Sequence, residues 1–269
     1  MTTVMRQLVT TERVRVLIAA AGMSLWFLLV LAMTKSAGAE IRAEMGLFDG
    51  MDFLKGFGLS AITSEQSMLD QMLSVTFNHP IALALLAAVF LSLGARAVQG
   101  ELEAGTLEVT LARPISRTRY LLAHALFIAG ATAFVMVVAG ASILAFEALL
   151  DVPGTVEVVH VAQLVALGTM VYVAFGMLSL LVSTMLARRG GAMGAAVGVF
   201  VVMYAITFMD RIWSKPVIDA LGRLSLFHWF DPIVTITGAG VGIAAWLVPP
   251  LVAVGALVAA CVLLERRDL

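Results

Sequence analysis

The sequence predicts an all-α membrane protein with six transmembrane helices, a short helix on one wet face, and an outer re-entrant or interfacial segment before the last crossing. Three observations carry that prediction. Of 269 residues, 61% are hydrophobic and only 13% are charged, and the mean hydropathy is +1.01. Soluble domains carry roughly 25% charged residues, so the solvent for this much apolar surface is lipid. The charges are gathered between apolar runs close to the ~20 residues that span hydrocarbon. The basic residues are also split unevenly between alternate gaps.

A single membrane domain over 1–269 follows, with spans at 16–34, 77–96, 120–146, 161–186, 191–209 and 246–264. The first run is followed by Ala37-Gly38-Ala39, which mimics a cleavage site. It exceeds the ~7–15 residues of a signal-peptide core, so it reads as a retained anchor. Residues 35–76 mix charge with Phe53, Leu54, Phe57, Leu69, Met72 and Leu73, the pattern of helices lying on the outer leaflet.

Residues 101–117 form a polar island between runs 71–95 and 120–146, which hold no charge except a titratable one on His79 and on His124. Thr106 is placed to cap a short helix, with Leu107 and Leu111 on one face at i, i+4. Pro114 stops that helix, and Ser116 is placed to cap the next one. Glu101, Glu103 and Glu108 favour its N-terminal turns through the helix dipole. A short amphipathic helix on the wet side of a membrane protein is a handle for a partner.

The fifth span carries Gly190, Gly194 and Gly198, a small-xxx-small ridge that reads as close packing within the chain. Residues 210–245 are then too polar and broken to cross. Lys215-Pro216 starts a helix with Val217, Leu221 and Leu224 on one face and an Asp219–Arg223 pair on another. Trp213, Trp229 and Trp246 mark a lipid–water boundary. Ile233–Ala245 is apolar but short, and it contains Gly238, Gly240 and Gly242. It reads as a segment that dips in and returns, covered by protein. Trp229, Phe230, Asp231 and Pro232 belong to this candidate outer gate.

Six crossings place both termini on one side, together with eleven arginines. The other side holds six basic residues: Lys35, Arg42, Lys55, Arg211, Lys215 and Arg223. The positive-inside rule assigns the eleven, and the island, to the cytoplasm of a cell-membrane protein.

The remaining chemistry is ordinary. The one cysteine, Cys261, excludes an intrachain disulfide and a cysteine-based zinc cage. No basic run interleaved with aromatics suggests nucleic acid. His79, His160 and His228 fall on the outer side with nothing local to gather them. Glu147 reads as an interfacial carboxylate, and the fifteen methionines read as packing.

Glu101, Glu103, Gly105, Thr106, Leu107, Glu108, Pro114, Ser116 and Arg117 carry a resemblance to permease subunits of the type-2 ABC exporter family. Those proteins place an acidic Glu-x-Glu-x-Gly-Thr-Leu-Glu segment after span two and an Arg-Pro-Ile-Ser-Arg-like turn before span three. Leu226–Pro232 and Phe53–Gly58 resemble the family's outer phrases more loosely. The resemblance implies a coupling helix near residues 100–117 that sits on an ABC ATPase. Glu101, Glu103, Gly105, Thr106, Leu107, Glu108, Leu111, Arg113 and Pro114 would make that contact. It further implies two ATPase copies carrying ATP and Mg, a second permease copy or a paralogue, and an amphipathic or lipid-like cargo. A separate ATPase also agrees with the residues. A phosphate-cradling loop needs Gly-Lys, and Lys35, Lys55 and Lys215 follow Thr34, Leu54 and Ser214. No cofactor is expected on this chain. An ion-coupled secondary transporter or a non-transporting membrane scaffold are the alternatives. The first would call for carboxylates at mid-membrane.

Overall fold

Helices account for all the regular structure in the computed structural model, which describes residues 2–45, 55–57, 64–105, 115–186, 189–213 and 215–266. In chain order they are α1 (Thr2–Met45), α2 (Glu65–Asn78), α3 (Pro80–Arg96), α4 (Gln99–Glu103), α5 (Arg117–Leu150), α6 (Val158–Met185), α7 (Arg189–Ile212), α8 (Pro216–Gly222), a 3-10 turn (Leu226–Trp229), α9 (Pro232–Ile236) and α10 (Ile243–Arg266). Among the described residues five of these are long and apolar enough to cross a membrane. Counting α2 and α3 together as one broken crossing makes six.

The bundle is organised around α6. It packs against α3, α5, α7 and α10, and Leu164, Val171, Tyr172 and Leu180 along it are fully buried. Lipid removes the hydrophobic drive between helices, so close approach through small residues holds them together. The α3–α6 crossing shows this. A Cβ placed on Gly94 would meet the Gly176 carbonyl at 2.6 Å and the Leu180 nitrogen at 2.8 Å. Ser179 Oγ donates to the Leu91 carbonyl at 2.7 Å, and Ser183 Oγ donates to the Ala95 carbonyl at 3.0 Å. α1 runs beside α5, with Ser142 Oγ donating to Ser24 Oγ at 2.9 Å. Near the far end of that pair, Lys35 Nζ reaches the carbonyls of Leu150 and Asp151, where α5 stops in a left-handed residue.

Four features differ from the sequence-based expectation. α1 is 44 residues long and starts well before residue 16, so the first apolar run is only its middle. α3 starts at Pro80 and has 17 residues, so the second crossing is complete only with α2 counted in. α2 is not a surface helix apart from the bundle. It meets α3 at a 43° bend and buries Met68, Leu69, Leu73 and Phe77. The reason is that its polar residues also face inward: Asp70, Gln71, Ser74 and Asn78 are buried. Its inward face therefore has no clean apolar period to read.

The bend has an identifiable cause. Pro80 cannot donate a backbone hydrogen bond, and His79 caps α3 by accepting from Ile81 N at 3.3 Å. Carbonyls near the break are taken up by other helices. Trp26 Nε1 donates to Thr76 O at 3.2 Å, and Tyr204 OH donates to Asn78 O at 3.0 Å.

The fourth difference is on α7. The bundle is faced by Ala192, Ala196, Phe200 and Thr207, all buried. Among the described residues, a Cβ on Gly194 or Gly198 meets nothing within 4 Å, so these two glycines look away from the other described helices.

Gly94 and Gly194 should therefore respond oppositely to alanine. Gly94→Ala drives a methyl into backbone and is expected to cost about 1–3 kcal/mol. Gly194→Ala should be neutral or stabilising by up to ~1 kcal/mol, as for a solvent-side helical glycine. Thermal unfolding in mild detergent, followed by circular dichroism, reads both. Equal shifts for the two variants would contradict the packing.

Candidate functional site

One end of the bundle gathers the first turns of α1, the end of α3, all of α4, the start of α5 and the last turn of α10. The polar island has its two ends here, residues 101–105 and 115–117. Its entry is α4, with Leu102 packed on the core, Glu101 half-buried and Glu103 exposed. α4 gives way to Gly105 at φ +66°, a left-handed conformation that glycine adopts freely. Thr106, Leu107, Glu108, Leu111, Arg113 and Pro114 lie outside the described residues. The exit is Ser116, whose Oγ accepts from Arg119 N at 3.3 Å and caps α5, as the sequence predicts.

Entry and exit are both fastened to other helices. Ser183 Oγ accepts from Val98 N and Gln99 N, each at 3.2 Å, and Gln99 Nε2 donates to the Ser183 carbonyl at 3.0 Å. Three hydrogen bonds thus dock the α3–α4 turn on the last turn of α6, and Gln99 is fully buried there. From α5, Tyr120 OH donates to the Ala97 carbonyl. Arg117 Nη1 donates to the carbonyls of Leu264 (2.9 Å) and Glu265 (3.3 Å), satisfying the exposed end of α10. Glu12 on α1 receives Arg15 and, at 3.4 Å, Arg96.

Sequence reasoning missed Gln99, Ser183, Glu12 and Tyr120. Only Glu12 left a local signal, as the lone acidic residue of the first 39. Arg117 was noted, but its partner on α10 has no sequence signature.

Beneath α4 is a cleft of about 200 Å³ between α1, α3, α4 and α5. Gln7, Glu12, Arg96, Glu101, His124 and Phe127 are among its walls, and His124 is buried with Nδ1 3.1 Å from the Tyr120 carbonyl. Both signs of charge line it, and among the described residues no nucleophile–base pair is assembled there.

At the opposite end, the predicted gate residues sit on a folded-in cap. α8 forms where expected, with Arg223 Nη2 2.9 Å from Asp219 Oδ2 and with Val217, Leu221 and Leu224 exposed. Ser225 then turns the chain inward. Its Oγ donates to the Met203 carbonyl (2.8 Å) and accepts from Thr207 Oγ1 (2.9 Å) and Phe227 N (3.2 Å). Phe227 enters a ring cluster with Phe175, Phe200 and Tyr204. Phe230 is fully buried, edge-on to Phe77 (6.2 Å) and Tyr172 (6.0 Å).

Trp229 is half-buried and donates to the Arg223 carbonyl at 3.2 Å. Asp231 caps α9 by accepting from Ile233 N at 3.2 Å, and Pro232 fills its first turn. The Asp-Pro pair is thus explained as a helix start. Ile233–Ala245 resolves into α9, a turn with Gly238 and Gly240 at φ +67° and +92°, and the first residues of α10. A cleft of about 220 Å³ opens beside Trp229, Asp231 and His228, and His228 is 3.6 Å from Asp210. The His79 ring lies tilted against Trp26 and His160 lies by Glu157, so His79, His160 and His228 stand on separate elements.

Comparison with known proteins adds a family. The family model described as ABC-2 family transporter protein matches residues 10–269. No curated protein matches the sequence. The match covers nearly the whole helical bundle and takes in both the island and the cap, and the chain belongs to the ABC-2 transporter family as a permease-type membrane subunit.

Proposed function

We propose that this chain is one of two permeases that line a translocation pathway and are driven by two separate ABC ATPase subunits docked on residues 101–117. ATP and Mg reside on those ATPases. The second permease is another copy or a paralogue, the termini and the island face the cytoplasm of the cell membrane, and the cargo is amphipathic or lipid-like. The observation that supports this most is the fastening of the island. Its entry is bonded to α6 through Ser183, and its exit is bonded to α10 through Arg117. A push on the 106–114 segment would reach the central helix and the last helix at once. The capped aromatic end gives the same helices a closure to open, with Trp229, Phe230, Asp231 and Pro232 at its hinge.

Coupling to an ion gradient is less well supported. It calls for a carboxylate at mid-membrane. The carboxylates buried among the described residues are Glu12, held by two arginines, and Asp70, in the first two turns of α2 with Gln66 Nε2 at 2.9 Å. Each belongs to an end of the bundle.

Two experiments test the proposal. Leu107→Ala with Leu111→Ala should remove the buried anchors of the coupling helix. Truncating such anchors usually costs a few kcal/mol, whereas rim charges cost less and depend on salt. The double variant should lose copurification with the ATPase or hydrolyse ATP without transport in sealed vesicles, and single Glu→Gln changes at 101, 103 or 108 should be milder. Normal copurification and transport would refute the coupling assignment and return weight to the alternatives, including a scaffold that transports nothing.

Orientation is tested separately. In a Cys261→Ala background, single cysteines at the exposed positions Ser64, Ser116 and Leu224 are presented to an impermeant thiol reagent on intact cells. Labelling should occur at positions 64 and 224 only, and labelling at 116 alone would invert the arrangement.

A further inference from the structure

On the lipid-facing side of the α1–α5 pair is an apolar groove of about 390 Å³, within the roughly 300–1,000 Å³ of small-molecule sites. Leu17, Leu126 and Phe134 in its walls are exposed, and Gly130 forms part of its floor. A Cβ on Gly130 would meet nothing within 4 Å, so the missing side chain is what leaves the groove open. Phe127 separates it from the polar cleft that holds Glu12 and Arg96, since the ring lines both.

One charge faces this apolar surface. Arg13 lines the groove and is exposed, and no described residue gives it an ion pair or hydrogen bond. Its neighbours in sequence are accounted for otherwise. Glu12 points to the other face of α1, where Arg15 and Arg96 share it. A guanidinium beside lipid-facing apolar walls needs an anion or a route to water. The membrane supplies one anion that comes with an apolar tail. A phosphate offers oxygens to the planar guanidinium fork, and an acyl chain matches the walls below.

We propose that the α1–α5 groove is a binding site for an anionic glycerophospholipid, with the phosphate held by Arg13 and an acyl chain laid along Leu126, Gly130 and Phe134. The lipid would complete the packing of α1 on α5 and press on Phe127, the wall of the polar cleft. The site makes no use of the cargo path or of the ATPase, so it stands or falls apart from the proposed function.

The test uses the full chain, purified in mild detergent and mixed with equimolar phosphatidylglycerol and phosphatidylcholine. Native mass spectrometry reads the bound lipid. The wild type should retain phosphatidylglycerol over phosphatidylcholine by about fivefold, the equivalent of one basic contact to an anionic lipid. Arg13→Gln should bring the ratio to about one, and Arg13→Lys should restore part of it. Gly130→Leu fills open space, so it should keep the wild-type unfolding temperature while lowering the bound amount of both lipids. Arg6→Gln, an exposed arginine outside the groove, should leave the ratio unchanged. A preference that survives Arg13→Gln, an equal loss with Arg6→Gln, or full lipid retention by Gly130→Leu would each overturn the proposal.

Discussion

Backbone polar groups have no water to turn to inside a bilayer, and that constraint shapes every irregular feature of this bundle. The chain leaves regular helix at three places close to the membrane-spanning core. At two of them side chains from other helices meet the exposed backbone groups, and at the third the turn's own Ser225 reaches a neighbouring helix. At the α2–α3 bend the donors are Trp26 from α1 and Tyr204 from α7. At the α3–α4 turn Ser183 from α6 supplies the acceptor, and Tyr120 from α5 supplies a donor. At the turn into the cap, Ser225 bonds to Met203 and Thr207 on α7. A break satisfied in this way is tied to a distant helix, so local irregularity becomes long-range connection.

The magnitudes suit a moving part. Side-chain hydrogen bonds between membrane helices average about 0.6 kcal/mol and reach roughly 1.7 kcal/mol at most. The four bonds at Ser183 therefore amount to a few kcal/mol, enough to hold the turn on α6. The Gly94–Gly176 approach is of another kind. It is steric, and it brings the α3 and α6 backbones together. The aromatic cap resembles the second kind more than the first. Phe230 and Phe227 fill the space between α2, α6 and α7, and Ser225 and Asp231 set where those rings enter.

Much of this was legible in the sequence where a local signal exists. Charge gaps pointed to an all-helical membrane fold, which the bundle shows. Ser116, Lys215-Pro216, the Asp219–Arg223 pair and the Asp231-Pro232 helix start were each visible as short patterns. What failed was anything decided at a distance. α2 carries Asp70, Gln71 and Ser74 on its buried face, so its inward side looked wet. Gly194 and Gly198 have the spacing of a packing ridge, but spacing does not say which way a ridge faces; Ala192, Ala196 and Phe200 took the inner side. Within the site, Glu101, Glu103 and Gly105 could be placed, and the remainder of 106–114 lies outside the described residues. The fastening residues Gln99 and Ser183 are 84 positions apart. Either one alone is an ordinary polar residue at the end of an apolar helix.

If the Gln99–Ser183 contact transmits motion from the island to α6, the two residues act as one unit. A double-mutant cycle with Gln99→Ala and Ser183→Ala measures this, reading transport per ATP hydrolysed by the permease–ATPase complex in sealed vesicles. The expected result is that either single change lowers the coupling ratio with ATPase binding intact, and that the double variant is no worse than the worse single one. Losses that simply add, or single variants that transport with the wild-type ratio, would contradict the account.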